Sequence, residues 1–245
     1  MKTTLKRVLT DTNTKGYYLV SDVLAFFTIL SITSLVLETV PSLSSYKVLF
    51  DTIEWVSVAV FTFEYIARII VTRPVSSYIF SFFGLVDLIA IVPTYLGLGN
   101  LTFLKSARTI RLIRLLRMVR LAKMKRLSVR DVEEKMSFFA VNVAIFIAVL
   151  VSSMLLIGTL IYIFEDTTFT SIPYGMLWSF KIFLIGIPIE YPSTALGQAV
   201  HMFGRLVGLI VFGVLIGVVG NIFKDLLFSG KDKTALPTGE VTSND

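Results

Sequence analysis

The stretch MSFFAVNVAIFIAVLVSSMLLIGTLIYIF, residues 136–164, contains no Asp, Glu, Lys, Arg or His. A segment so long and so uniformly apolar has no polar face to turn to water, whereas about 20 such residues cross the ~30 Å hydrocarbon layer of a bilayer as one helix. Apolar runs of this kind recur at 17–40, stopped by Pro41, at 49–71, ending before Arg73 and Pro74, at 81–98, which contains Pro93, and at 206–228. Together with the basic but otherwise apolar segment 104–126, they predict an all-α membrane protein with six transmembrane helices. The composition agrees: 55% of the 245 residues are hydrophobic and 16% charged, where a soluble domain carries roughly a quarter charged. A larger core would not absorb the excess, because a soluble protein must still cover itself with polar surface.

Between the last two spans, the stretch 171–198 has an apolar part from Tyr174 to Ile185, too short to cross and bounded by Pro173 and Pro188. It reads as a re-entrant half-helix followed by an extended stretch. Irregular backbone at membrane depth is tolerated only where protein or a water-filled cavity surrounds it, so this segment predicts a pore-like assembly. An even number of spans places both termini on one side. That side collects Lys2, Lys6, Arg7, Lys15, Arg73, Lys123, Lys125, Arg126, Arg130, Lys135, Lys231 and Lys233, and is therefore expected to be cytoplasmic in a cell-membrane protein. The expected order is a cytoplasmic N-terminus over 1–16, a four-helix unit over 17–122, an amphipathic interfacial linker helix over 123–135, a pore unit over 136–228 and a disordered cytoplasmic tail over 229–245. The opening MKTTLKRVLTDTNTK lacks the apolar core of a cleavable signal peptide.

Several function classes are disfavoured. Cysteine is absent, which removes disulfides, thiolate metal sites and cysteine nucleophiles. No Gly-rich phosphate loop, metal-ligand cluster or nucleophile–base pair appears, so neither enzyme activity nor a metal or cofactor is expected, and the single His201 reads as structural. The net charge of +6 is what the positive-inside bias produces, and no nucleic-acid partner is expected. A transporter would show an internal repeat of spans, and none is found.

The segment 104–126, LKSARTIRLIRLLRMVRLAKMKR, places a basic residue at every third position: Lys105, Arg108, Arg111, Arg114, Arg117, Arg120, Lys123 and Arg126. Charges within a span are costly and need partners. In an α-helix this spacing turns each charge by about −60° from the last, and in a 3₁₀ helix it stacks them on one face. Either way the ladder passes a fixed site in sequence as the helix slides. Each charge moved across the field is worth about 2.3 kcal/mol per 100 mV, so three to four in each of four subunits supply about 28 to 37 kcal/mol. The segment thus reads as a voltage sensor, with Arg108, Arg111, Arg114, Arg117, Arg120 and Lys123 as gating charges and Lys125 and Arg126 in the linker. A basic helix resting on anionic lipid or nucleic acid would have polar neighbours and one-sided charge, whereas Ile, Leu, Val and Met fill most positions here.

A travelling ladder needs negative sites at more than one depth. The second span supplies Glu54 and Glu64, ten residues apart and so about 15 Å along one helix. The third supplies Asp87 and the first supplies Glu38 near its outer end. Phe61, one turn before Glu64, is placed to seal the sensor between two aqueous vestibules, and Arg68, one turn after Glu64, is expected to pair with it or to sit at the inner interface.

Residues 17–228 resemble a voltage-gated potassium channel subunit of the prokaryotic six-transmembrane type. The resemblance rests on FTFEYIAR (61–68) in the second helix, LVDLIAIVPTYL (85–96) in the third and LIGVVGNIFKDLL (215–227) in the last. It implies a four-helix sensor followed by a two-helix pore domain with a re-entrant pore loop, in a homotetramer. It also implies a charge-transfer site formed by Phe61, Glu64 and Asp87, an inner-helix hinge at Gly213 or Gly217, and a gate where the last helices part near Ile222 and Phe223. The pattern breaks after MLWSF. With Leu177 and Trp178 as anchor, the selectivity filter falls on Ile185, Gly186, Ile187, Pro188, Ile189, Glu190 and Tyr191, where the family's Thr-Val-Gly-Tyr-Gly is absent. Proline fixes φ near −65° and cannot enter the left-handed conformations that such a carbonyl cage uses.

Two charges stand there instead, Lys181 in the pore helix and Glu190 at the filter mouth. A ring of Glu favours cations and a ring of Lys anions, a Lys181–Glu190 pair would cancel both, and Lys181 as a tether of the pore helix would leave the question to Glu190. The resulting expectation is a voltage-gated channel for monovalent ions, a cation channel with a non-standard filter, set among membrane lipids. The alternative is a voltage-sensing protein with an anion-conducting, non-selective or non-conducting pore.

Overall fold

The computed structural model describes residues 14–72, 74–96, 114–122, 138–165, 167–188 and 190–228, and these contain only helices and their connections. Helix α1 spans Lys15–Glu38 and a 3₁₀ turn over Pro41–Tyr46 leads into α2, Lys47–Val71. A short α3, Val75–Ile79, precedes α4, Phe82–Leu96. A 3₁₀ turn at Leu116–Met118 runs into α5, Val119–Ala122. The C-terminal part consists of α6, Phe138–Phe164, α7, Ile172–Ile185, and α8, Ala195–Phe228.

Among the described residues, α1, α6 (from Ala140) and α8 (to Lys224) are long and apolar enough to cross a membrane by length and composition. Helix α2 is equally long but carries Lys47, Asp51, Glu54, Glu64 and Arg68. Two boundaries differ from the sequence reading. The last helix starts at Ala195 rather than near 206: Thr194 caps it, its Oγ1 accepting from the Gly197 amide at 2.9 Å, and Glu165 at the end of α6 accepts in turn from the Thr194 amide at 3.0 Å. The half-helix starts at Ile172 rather than Tyr174: Ser171 is its N-cap, accepting from the Tyr174 amide at 3.4 Å, and Pro173 sits in the first turn, where a missing N–H costs nothing. The expected linker helix over 123–135, the N-terminal segment up to Asn13 and the tail over 229–245 lie outside the described residues.

The N-terminal helices pack as a bundle. α1 lies against α2, α2 against α4, and the 3₁₀ turn with α5 fits between α1 and α4. Its apolar layer is formed by Leu24, Val58, Phe61 and Ile91. Small polar residues share the inward stripe of α1: Ser21, Thr28, Ser31 and Ser34 are buried beside Leu24 and Leu35, spaced as one helical face. In the C-terminal part α7 is wedged between α6 and α8 around Ile157, Ile161, Trp178, Ile182, Phe183 and Val211. The wedge is tight where glycine meets glycine. A Cβ on Gly175 would lie 2.2 Å from the Gly158 carbonyl oxygen, and one on Gly158 2.5 Å from the Met176 nitrogen.

A third apolar cluster, Leu35, Leu115, Leu155, Tyr162 and Ile172, joins the two parts of the chain. The Ile172 amide donates to Thr39 Oγ1 at 2.9 Å, pinning the end of α1 to the start of α7.

Candidate functional site

The buried face of α2 carries Phe50, Glu54, Ser57, Val58, Phe61 and Glu64. Their helical spacing puts two carboxylates on one side of one helix with an aromatic ring between them. Facing this stripe is the 3₁₀ turn that contains Arg117, followed one turn later by Arg120. Both arginines are only 1% exposed. Buried charges persist only where they are paired, and both arginines meet carboxylates here.

Arg117 uses all five of its N–H donors. Nη1 and Nη2 each donate to the Glu54 carboxylate at 2.6 Å, Nη2 also reaches Thr94 Oγ1 at 2.9 Å, Nε reaches the Ala90 carbonyl at 2.9 Å, and Nη1 also donates to Ser31 Oγ. The Glu54 carboxylate also accepts from Thr94 Oγ1 at 2.5 Å and from Ser31 Oγ at 3.3 Å. Arg114, one step back along the ladder and partly exposed, places Nε 3.4 Å from the same carboxylate. One acidic side chain thus faces two successive rungs.

Arg120 occupies the second site. Its Nη2 donates to Glu64 Oε2, its Nε lies 3.0 Å from Asp87 Oδ1, and its guanidinium sits 4.1 Å from the centroid of the Phe61 ring. The Arg117 guanidinium is 5.9 Å from that centroid on the other side of the step, so Phe61 separates the two pairs while offering its π-face to each. Glu64 also accepts from Arg68 Nε at 2.5 Å. Tyr78, in α3, donates to Asp87 Oδ2; burial and the Asp87 carboxylate push its hydroxyl well above the usual range, which keeps it a donor.

The structure therefore brings Glu54, Phe61, Glu64 and Asp87 together around Arg114, Arg117 and Arg120. Glu38 stands in the last turn of α1, partly exposed. Arg108, Arg111 and Lys123 lie outside the described residues. Ser31, Thr94 and the Ala90 carbonyl, which complete the shell of Arg117, had no part in the sequence reading. The signal for Ser31 was the repeat of small polar residues along one stripe of α1, which an all-apolar span would lack.

At the other end of the chain, α7 ends at Gly186, which is left-handed with φ 75° and is the only residue with positive φ among those described. Its carbonyl accepts from Arg205 Nη2 of α8 at 3.0 Å. The backbone then descends through Ile187 and the buried Pro188 to Glu190, whose carbonyl accepts from Trp178 Nε1 at 2.8 Å and whose carboxylate accepts from the Tyr174 hydroxyl at 3.1 Å. Ile189 lies outside the described residues, and Tyr191 is exposed with its ring beside His201. Within the chain Lys181 and Glu190 do not pair: the Glu190 carboxylate accepts from Tyr174, and Lys181 is partly exposed, with no carboxylate partner among the described residues. Helix α8 runs unbroken through Gly213 and Gly217, which have open space beside them, whereas Gly208 packs on Phe183.

Glu165, just past α6, is fully buried and received no attention in the sequence. It accepts from the Ser193 amide at 2.9 Å, from Ser193 Oγ, and from the Thr194 amide and hydroxyl at 3.0 and 2.7 Å. Burial alone would raise its pKa, but these four bonds hold it down at about 2.

A relative from Rhodopseudomonas palustris (strain ATCC BAA-98 / CGA009), named "Putative potassium channel protein RPA4233", is 28% identical over 228 residues, covering 85% of this chain and 54% of that protein. The chain thus spans about half the length of that relative. The family model for ion transport proteins matches residues 18–227, with all the described helices but the outermost turns inside it. Through that match and its apolar helices, the chain is a multi-pass membrane protein that belongs to the ion transport protein family.

Proposed function

We propose that the chain is one subunit of a homotetrameric voltage-gated ion channel with six spans, in which residues 17–122 sense the membrane potential and residues 136–228 form the pore. The observation that carries this reading is the pair of stacked sites, Arg117 on Glu54 and Arg120 on Glu64 and Asp87, divided by the Phe61 ring. A static basic helix has no use for two carboxylate sites that each receive one of two consecutive arginines. A ladder that steps has: each guanidinium that leaves one carboxylate arrives at the next without passing unpaired through the apolar layer. The 3₁₀ turn at Leu116–Met118 supports a stepwise slide, since 3₁₀ geometry aligns residues three apart.

With both termini cytoplasmic in the cell membrane, the start of α2 faces outward. Arg114, which meets the Glu54 carboxylate ahead of Phe61, then lies on the outer side of the charge-transfer site, and we read the arrangement as the outward position of the ladder. Movement inward draws the linker over 123–135 against the inner ends of the last helices, near Ile222 and Phe223. The contacts at Leu115–Leu155 and Thr39–Ile172 give the sensor a fixed fulcrum on its own pore unit. Potassium selection through a cage of left-handed carbonyls is not part of the proposal, since Gly186 alone has positive φ among the described residues.

The test is electrical. Purified protein in a planar bilayer, stepped in voltage, should give currents whose opening is steeply voltage-dependent. Arg117→Gln should lower the total gating charge by about one elementary charge per subunit if that rung crosses the field. Unchanged gating charge would remove Arg117 from the ladder, and an intact tetramer without current at any voltage would leave only the second reading, a voltage-sensing protein without ordinary conduction.

A further inference from the structure

A buried carboxylate that releases one arginine before the next arrives needs a partner that stays behind. Asp87 is fully buried, and its Oδ1 lies 3.0 Å from Arg120 Nε, on the segment proposed to move. Its Oδ2 accepts from the Tyr78 hydroxyl, which comes from a different part of the chain. Tyr78 stands in α3, and α3 packs against α2 and α4, the two helices that carry Glu64 and Asp87 themselves. This donor therefore keeps its place beside the carboxylate when the ladder slides.

The local sequence fixes that place. The Tyr78 carbonyl oxygen accepts from the Ser81 amide at 3.0 Å and from Ser81 Oγ at 2.7 Å, and Ser81 Oγ accepts in turn from the Gly84 amide at 3.0 Å. Gly84 is buried against the same carbonyl oxygen, where the Cβ of any other residue would collide with it. The ring is held separately, its centroid 6.0 Å from that of Tyr65 in α2. With backbone and ring both anchored, the hydroxyl has one position, and that position is on Asp87. Burial and the neighbouring carboxylate raise its pKa, so it remains a donor.

We infer that Tyr78 is a positioning residue of the sensor, a resident donor that keeps the Asp87 carboxylate hydrogen-bonded while one arginine leaves and the next arrives. The inference rests on the voltage-sensing reading. Arg117, the next rung, is held by Glu54 beyond the Phe61 ring, so each step includes an interval in which Arg120 has left Asp87 and Arg117 has not reached it. A buried charge deprived of its partner is costly, and that cost falls on the transit rather than on the two ends of the step, where an arginine is present as well. The hydroxyl thus lowers the barrier in both directions and leaves the balance between the ends nearly unchanged.

The test follows charge movement in the full chain, by gating current or by a fluorophore on the sensor, in the wild type, Tyr78→Phe, Asp87→Asn and the double variant. Phe keeps the ring against Tyr65 and removes only the hydroxyl. Loss of a hydrogen bond to a charged group should slow charge movement about tenfold or more in both directions, with the total charge and the voltage midpoint little changed. In the Asp87→Asn background, where no buried carboxylate is left between rungs, Tyr78→Phe should slow it by no more than about threefold. A merely structural role would slow both backgrounds alike. Wild-type time constants in Tyr78→Phe, or equal slowing in the Asp87→Asn background, overturns the inference and leaves the voltage-sensing reading intact. Absence of charge movement in the folded wild type overturns both.

Discussion

Glu54→Gln isolates the contribution of one carboxylate to holding the ladder. The substitution preserves side-chain size and one acceptor oxygen, but it removes the charge that Arg117 contacts twice at 2.6 Å and Arg114 approaches at 3.4 Å. The amide also turns a donor toward a guanidinium whose five N–H groups are all donors, in a pocket where Ser31 and Thr94 already share those bonds. Breaking a buried pair from one side costs about 3–5 kcal/mol. With three to four charges moved per sensor at about 2.3 kcal/mol per charge per 100 mV, that cost corresponds to a displacement of about 30–70 mV in the voltage midpoint. In the proposed outward position Glu54 holds a dehydrated guanidinium and the penalty falls there, so the midpoint should move to more positive potentials. Gating-current or fluorescence measurements of charge movement against voltage read this directly. A shift below about 10 mV, or one toward negative potentials, would mean that Glu54 binds the ladder equally well in both positions and would refute the reasoning.

Three further outcomes follow from other parts of the fold. Glu165→Gln should loosen the cap that ties α6 to the start of α8; because the Glu165 pKa is lowered from about 4.5 to about 2, its stabilisation is fully present above pH 4.5 and is lost as pH falls toward 2. Melting of the detergent-solubilised protein should therefore drop in the variant and lose part of its acid sensitivity in that window, and identical pH profiles would exclude this role. Gly158→Ala should force α6 and α7 apart, since the new Cβ would meet backbone atoms 2.5 to 2.8 Å away; a loss of at least about 1–3 kcal/mol in thermal stability is expected, and a wild-type melting curve would contradict the close packing. Trp178→Phe keeps the buried ring but removes the donor to the Glu190 carbonyl, which should cost about 1 kcal/mol and alter single-channel conductance; unchanged conductance would show that this bond does not shape the loop.

The all-helical membrane character of the chain was legible in 136–164 and its fellow runs, because transfer out of water depends on local composition and length alone. The spacing of three in the basic segment and the ten-residue interval between Glu54 and Glu64 are one-dimensional patterns of the same kind, visible without a fold. Which carboxylate meets which arginine is different. Arg117 finds Glu54, Ser31, Thr94 and the Ala90 carbonyl at sequence separations from 23 to 86, and only the packing of α1, α2 and α4 brings them to one point. Glu165 and Arg205 carry no sequence signal for the same reason; their partners at Ser193, Thr194 and Gly186 lie across a turn or on another helix. Lys181 and Glu190 invited pairing because they are near in sequence, yet an intervening left-handed turn and the hydroxyl of Tyr174 send the carboxylate elsewhere. Hydropathy and spacing thus determined that this membrane protein is helical and carries basic residues at intervals of three, while tertiary contacts decided where Arg117 and Arg120 rest, because a buried ion is placed by the full set of its hydrogen-bond partners.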